Sequence, residues 1–105
     1  MSEQETFNQL LQFFKVLGNE SRLKILGLLA NGERSVGELA ALLDVREPTV
    51  SHHLAMMKKL NLVKAYADGT TRIYSLNAQA LDAMNRDIFS QKNLATLIGE
   101  ESENA

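Results

Sequence analysis

Residues 35–62 read SVGELAALLDVREPTVSHHLAMMKKLNL. Ser35 and Glu38 stand in the S-x-x-E arrangement of a capping box, in which each side chain satisfies an orphan backbone N–H of the other residue. A short helix over residues 36–43 follows, and a tight connection at Asp44–Arg46 turns the chain. Glu47 and Pro48 then open a second helix that runs to about Leu60, because proline in a first turn forfeits no intrahelical bond. At about 100° per residue, Val50, Leu54 and Met57 fall in one narrow arc that faces a core. Opposite lie Pro48, His52, Ala55 and Lys59, with Thr49 and Met56 beside them and Ser51 on the other edge.

The pattern changes period directly afterwards. In LVKAYADGTTRIYSL, residues 62–76, β-branched and aromatic residues flank Asp68–Gly69, a dipeptide that favours the positive φ of a hairpin turn. Two helices joined by a tight turn, then a hairpin, make a winged helix-turn-helix, whose second helix characteristically enters a DNA major groove.

Upstream, Phe7, Leu10, Leu11, Phe14 and Leu17 recur at helical spacing and Gly18 stops the run, so residues 4–17 form an amphipathic helix. NESRLKILGLLANG, residues 19–32, is capped by Asn19 and apolar almost all round, which predicts a central, buried helix. Downstream, Asn77 caps a last helix carrying Leu81, Met84 and Ile88 and continuing through Leu94, Leu97 and Ile98. The expected fold is mainly α with a small β-hairpin wing, in the order α-α-α-α-β-β-α. Residues 1–99 form one domain, and 100–105 an acidic, frayed tail.

Composition bounds the function. At 105 residues a lone subunit buries only about 60–70% of the surface its unfolded chain exposes. Phe7, Leu10, Leu11 and Phe14 together with Leu81, Met84 and Ile88 exceed what so small a core can cover, which predicts a homodimer. The absence of cysteine excludes disulfides and thiolate metal sites and fits the cytoplasm. The N-terminal MSEQETFNQL has acids where a signal peptide has a basic stretch, and no apolar run approaches the roughly 20 residues that span a bilayer.

The net charge of −2 conceals a segregation. Residues 44–76 carry Arg46, Lys58, Lys59, Lys64 and Arg72 against Asp44, Glu47 and Asp68, whereas both ends are acidic. Between Pro48 and Leu62 there is no acid, although a merely solvated helix face in an acidic protein should carry glutamates. Thr49, Ser51 and His52 can exchange hydrogen bonds with base edges, small Ala55 permits close approach, and Lys59 suits a phosphate. On the wing, Arg72 and Lys64 are the candidates for phosphate or the adjacent minor groove.

The adjacent histidines have separate tasks. Consecutive helical residues diverge by about 100° and cannot chelate one ion together. His52 projects from the groove face, while His53 lies on the shoulder of the apolar arc, packing there and bonding to a neighbour, or meeting a phosphate at the groove wall. A glycine-rich phosphate loop, a cysteine nucleophile and a clustered acid pair are all missing, so no catalytic constellation is legible. A winged helix that docks proteins, as an antirepressor or scaffold, remains the alternative to a DNA reader.

The segments LGNESRLKIL, TVSHHLAMMKKLNLV and the wing ending IYSL resemble the ArsR/SmtB family of small bacterial winged-helix repressors, with likeness over residues 7–76. The resemblance implies a homodimer joined through the first and last helices, a palindromic operator, and release when an effector binds. The family's Cys-Val-Cys at the start of the first motif helix is here Ser35-Val36-Gly37, and residues 78–98 hold Asp82 and Asp87 but no histidine for its site across the last helices. No metal site and no cofactor are therefore expected, and the effector stays unassigned. Phe7, Phe13, Phe14, Met84 and Phe89 could line an apolar pocket, although such stripes more often form a dimer core. Arg46 replaces the family's common serine at the recognition-helix cap; it cannot accept N–H bonds but can meet a phosphate.

Overall fold

The computed structural model describes residues 2–87, 89–95 and 97. Helices α1 (Glu3–Leu17) and α2 (Glu20–Ala30) lead into a two-residue strand β1 (Arg34–Ser35). The pair α3 (Val36–Leu43) and α4 (Glu47–Lys59) follows, then strands β2 (Val63–Asp68) and β3 (Thr71–Leu76), and finally α5 (Ala78–Asp87) and α6 (Gln91–Ala95).

Local chemistry sets the boundaries. Ser2 and Asn19 cap α1 and α2 by accepting from Glu5 N–H and Arg22 N–H. The capping box forms at α3, with Ser35 N–H donating to Glu38 Oε1 at 2.9 Å and Glu38 N–H to Ser35 Oγ at 3.1 Å. Ser35, through its backbone N–H first and its side chain second, holds the Glu38 carboxyl below its usual range. Gly18 closes α1 on Phe14, where a Cβ would come within 2.8 Å of the Phe14 carbonyl oxygen.

Two left-handed residues frame α4: Asp44 before it (φ 55°) and Asn61 after it (φ 60°). At each, paired bonds close the preceding helix. Val45 N–H donates to Ala40 and Asp44 N–H to Ala41; Leu62 N–H donates to Met57 and Asn61 N–H to Lys58. These are Schellman closures with an Asp or Asn where glycine is usual.

The core gathers Val16 and Leu17 of α1, Ile25 and Leu29 of α2, Leu39 of α3 and the α4 arc, and is sealed by Leu62 and Val63. Val50, Leu54 and Met57 are all buried, as their spacing requires. The sequence reading overstated the burial of α2. Leu23 stays exposed, and an ion pair between Lys24 Nζ and Glu20 Oε1 (3.1 Å) marks the outer face. The chain covers α2 fully at Ile25 and Leu29 and partly at Leu26 and Leu28.

The wing has a third strand that the periodicity did not reveal, since two residues are too few to show one. The sheet order is β1-β3-β2, antiparallel throughout, with Ser35 opposite Ile73 and Arg34 opposite Tyr74. The hairpin turn also lies one residue later than Asp68–Gly69: Asp68 still pairs with Thr71, leaving Gly69 (φ 65°) and Thr70 as the loop. Glycine alone supplies the positive φ there, which is the form a two-residue turn with Gly in first place takes.

The single last helix expected from Leu81 to Ile98 is two helices. Phe89 N–H donates back to the Met84 carbonyl at 2.9 Å, and Ser90 Oγ accepts from Asn93 N–H at 3.2 Å to start α6. A competing N-cap at Ser90 interrupts a hydrophobic period that otherwise runs on. Asn77 caps α5 as expected, accepting from Ala80 N–H. Ile88, Ile98 and the tail 100–105 lie outside the described residues.

Candidate nucleic-acid interface

The core arc of α4 fixes what its other side shows. Pro48, Thr49, Ser51, His52, Ala55 and Lys59 are exposed and Met56 is half-buried. This acid-free face stands between the three-residue turn at Asp44–Arg46 and the wing. Arg46 occupies the N-cap position in extended conformation with no side-chain capping bond, so its guanidinium is free to reach outward from the helix start. Lys58 and Lys59 fall in the last turn, where cations suit the helix dipole.

His53 departs from its neighbours. It is 8% exposed, and Arg22 Nε–H donates to its Nδ1 at 3.1 Å. Arginine has no acceptor, so Nδ1 carries no proton and the neutral ring holds its hydrogen on Nε2. Burial pushes the His53 pKa below its usual value near 6.5, and Arg22 and then His52 add to the effect. The rings of His52 and His53 stand 6.0 Å apart at 53°, pointing to different surroundings. His53 thus packs and bonds inside the subunit, and its placement among DNA-contacting residues gives way to the role of seating α4.

Arg22 is the residue that sequence reasoning missed. Besides His53, it reaches the carbonyl of Val16 through Nη1 at 3.1 Å, satisfying an acceptor in the last turn of α1. One guanidinium therefore joins α1, α2 and α4. The available signal was an arginine in a first helical turn, where its charge opposes the dipole and calls for a compensating partner.

On the wing, Lys64 and Arg72 are both exposed but belong to opposite faces. Lys64 pairs with Ser75 and shares a face with Tyr66, whereas Arg72 pairs with Ala67 and shares the face of Tyr74 and Leu76. Lys64 lies near the root of the hairpin and Arg72 near its tip, so they serve different places. Tyr66 donates its hydroxyl to Glu33 Oε1 at 2.9 Å, tying the wing to the segment before β1 and raising the phenol's pKa.

The apolar residues expected at a subunit interface divide three ways. Leu11 and Phe14 are exposed and Phe7 is half-buried along one flank of α1. Leu10 is 0% exposed and is corrected to a residue of the subunit interior, because it lies nearly in line with Leu17, seven residues on. Leu81 and Met84 pack half-buried against the core, and Ile88 lies outside the described residues. Phe13, Phe14 and Phe89 form an edge-on aromatic cluster with centroids 4.8 to 5.9 Å apart, joining α1 to the α5–α6 corner. Among the described residues no group of three or more histidine and acidic side chains could hold a metal, and no helix is long and apolar enough to cross a membrane.

Known proteins share this arrangement. The family model described as bacterial regulatory protein, arsR family, matches residues 19–65. An uncharacterized HTH-type transcriptional regulator of Methanocaldococcus jannaschii is 41% identical over 71 residues, covering 67% of this chain and 80% of that protein. The transcriptional repressor SdpR of Bacillus subtilis is 34% identical over 73 residues, covering 69% and 81% respectively. The solution structure of a homodimeric winged helix-turn-helix DNA-binding domain from Mycobacterium bovis matches with a TM-score of 0.65 at 32% identity, covering 75% of this chain and 74% of that one. With a helix-turn-helix, a wing and an acid-free recognition face, this chain belongs to the ArsR family of DNA-binding transcriptional regulators and is not an enzyme.

Proposed function

We propose that the protein is a cytoplasmic homodimeric repressor that reads an inverted-repeat operator without a transition-metal signal. The observation that carries this reading is the division of α4. Val50, Leu54 and Met57 anchor it while Thr49, Ser51, His52 and Lys59 form an exposed surface without acids. That surface supplies base-edge partners at its centre and charge at its ends, with Arg46 at one and Lys59 at the other.

Two features support the dimer. The exposed flank of Leu11 and Phe14 leaves large apolar groups in water. The radius of gyration, 15.9 Å with a long axis of 53 Å, exceeds the roughly 13 Å of a compact chain of this length. A partner on this flank covers what the subunit leaves open, and two-fold symmetry then sets two recognition helices one DNA turn apart. The Bacillus subtilis relative is a repressor and the Mycobacterium bovis domain a homodimer, which favours the same state here.

Selection of bound fragments from a random DNA library tests this reading. The expected product is an inverted repeat whose affinity falls steeply with salt, through counterion release. Recovery of no DNA motif, with any binding salt-insensitive, would instead support a protein-docking winged helix.

A further inference from the structure

Helices α1 and α5 and the end of α4 enclose an open cleft of about 780 Å³, within the range of small-molecule sites. Its polar groups are the amides of Asn8, Gln9, Gln12 and Asn61 and the ammonium of Lys59. Its apolar wall is Phe13, Leu60, Ala80, Ala83 and Met84. No acid lines it. Asn8 Oδ1 already accepts from Gln4 Nε2 at 3.0 Å, which leaves the Asn8 NH₂ to donate. At the α4 end, the Met57 and Lys58 carbonyls are taken by the Schellman closure, while Gln9, Gln12 and Asn61 each have an amide NH₂ that can turn toward the cleft.

We propose that this cleft binds an amphipathic monocarboxylate, with the carboxylate on Lys59 and the amides and an aliphatic body along Phe13, Leu60 and Met84. The single ammonium, with no acid among the described lining residues, selects an anion, and one ammonium among amides that can turn their NH₂ inward suits a single negative charge better than a phosphate's two. On α1 the cleft and the flank expected to meet a second copy are separate. At about 100° per residue, Gln9 and Gln12 leave α1 on the side roughly opposite Phe7, Leu11 and Phe14, with Asn8 at the border, and a second copy is expected on the Phe7, Leu11 and Phe14 flank.

The site also touches the proposed DNA face, since Lys59 serves both. A carboxylate on Lys59 withdraws a cation from the operator phosphates, so ligand and DNA oppose each other with equal factors. This coupling rests on the DNA-binding reading; occupancy of the cleft does not.

Sodium decanoate, titrated into the full chain and followed by the side-chain amide NMR signals of Asn8, Gln9, Gln12 and Asn61, tests the site. Saturable shifts are expected. Decan-1-ol should bind at least tenfold more weakly, and Lys59→Gln should lose at least tenfold of the decanoate affinity but none of the decanol affinity. Ala83→Trp, or Ala80→Trp should the first variant melt early, fills the cleft and should abolish the shifts with operator affinity intact. Equal binding of acid and alcohol, shifts that survive a filled cleft, or no saturable shift overturns the proposal. With a selected operator, decanoate should weaken DNA binding by wild type but not by the filled variant; occupancy without that weakening overturns the coupling. Failure to select any DNA removes the repressor reading while the amide shifts still decide the cleft.

Discussion

Arg22 Nε lies 3.1 Å from His53 Nδ1, a bond that ties the first turn of α2 to the middle of the recognition helix and exists only while the imidazole is neutral. Protonation would place an N–H against the guanidinium and charge against charge. The depressed pKa of His53 follows from its burial and this neighbour. The unfolded chain takes up the proton near pH 6.5 and the folded chain only at lower pH, so the stabilisation is fully present above 6.5. It drains away as pH falls through the folded pKa. Urea unfolding at pH 7.5 and 5.0 should show this loss in wild type, with a smaller loss in His53→Gln. Equal losses in both would remove His53 as its source.

Arg22→Ala leaves two acceptors without their donor, His53 Nδ1 and the Val16 carbonyl. A cost of about 1–3 kcal/mol is expected, together with weaker DNA binding because α4 loses its anchor. Thermal melting gives the first quantity and operator titration the second. A stable variant with normal affinity would show the bond to be dispensable.

The adjacent histidines should respond in opposite ways. His52→Ala removes an exposed side chain, so melting should stay put while specific binding weakens by on the order of 1–3 kcal/mol if the ring meets a base. His53→Ala should lower the melting temperature first and binding second. Unchanged stability with all the binding loss at position 53 would reverse the assignment.

Lys64 and Arg72, on opposite faces of the hairpin, should contribute independently. Arg72→Ala should weaken binding to all sequences and flatten the salt dependence by about one phosphate contact. The double variant with Lys64→Ala should then lose the sum of the single losses. Marked non-additivity in a double-mutant cycle would mean that one phosphate holds both.

Asn61 holds φ at 60°, a conformation that costs an ordinary residue roughly 1–2 kcal/mol. Asn61→Ala should destabilise by about that amount, and Asn61→Gly should match or exceed wild type. Chemical denaturation of the two variants checks the order, and an alanine variant as stable as the glycine one would contradict it.

Purified protein should carry no stoichiometric zinc, nickel or arsenite, and a chelator should leave operator affinity unchanged. Ser35-Val36-Gly37 offers no thiolate, and the histidine pair diverges. One zinc per subunit by elemental analysis would defeat this and point to ligands shared between subunits.

The helix-turn-helix was legible because its signals are local. The Ser35–Glu38 box, the Pro48 start and the Val50–Leu54–Met57 spacing each refer to residues within one helix. What escaped depends on distant partners or on competition. The Arg22–His53 bond joins positions 31 apart, and β1 is too short to carry a period. The α5–α6 break needed the weight of one serine against a continuing hydrophobic stripe. Leu10, expected at the interface with Leu11, is buried instead, since it lines up with Leu17 on the inner side of α1 while Leu11 stands about 100° away.

Ser35 belongs to two structures at once, since it pairs with Ile73 in the sheet and caps α3 with its hydroxyl. Helix-turn-helix and wing therefore share a residue at this seam, and the chain's capacity for change is uneven along the hairpin. Extra residues at the Gly69–Thr70 tip lengthen the wing and leave its root in register. A single residue inserted between Glu33 and Val36 moves either the strand or the cap out of place, and with it the angle at which both parts meet a groove. Variation in reach belongs at the tip, and variation in pitch at the root.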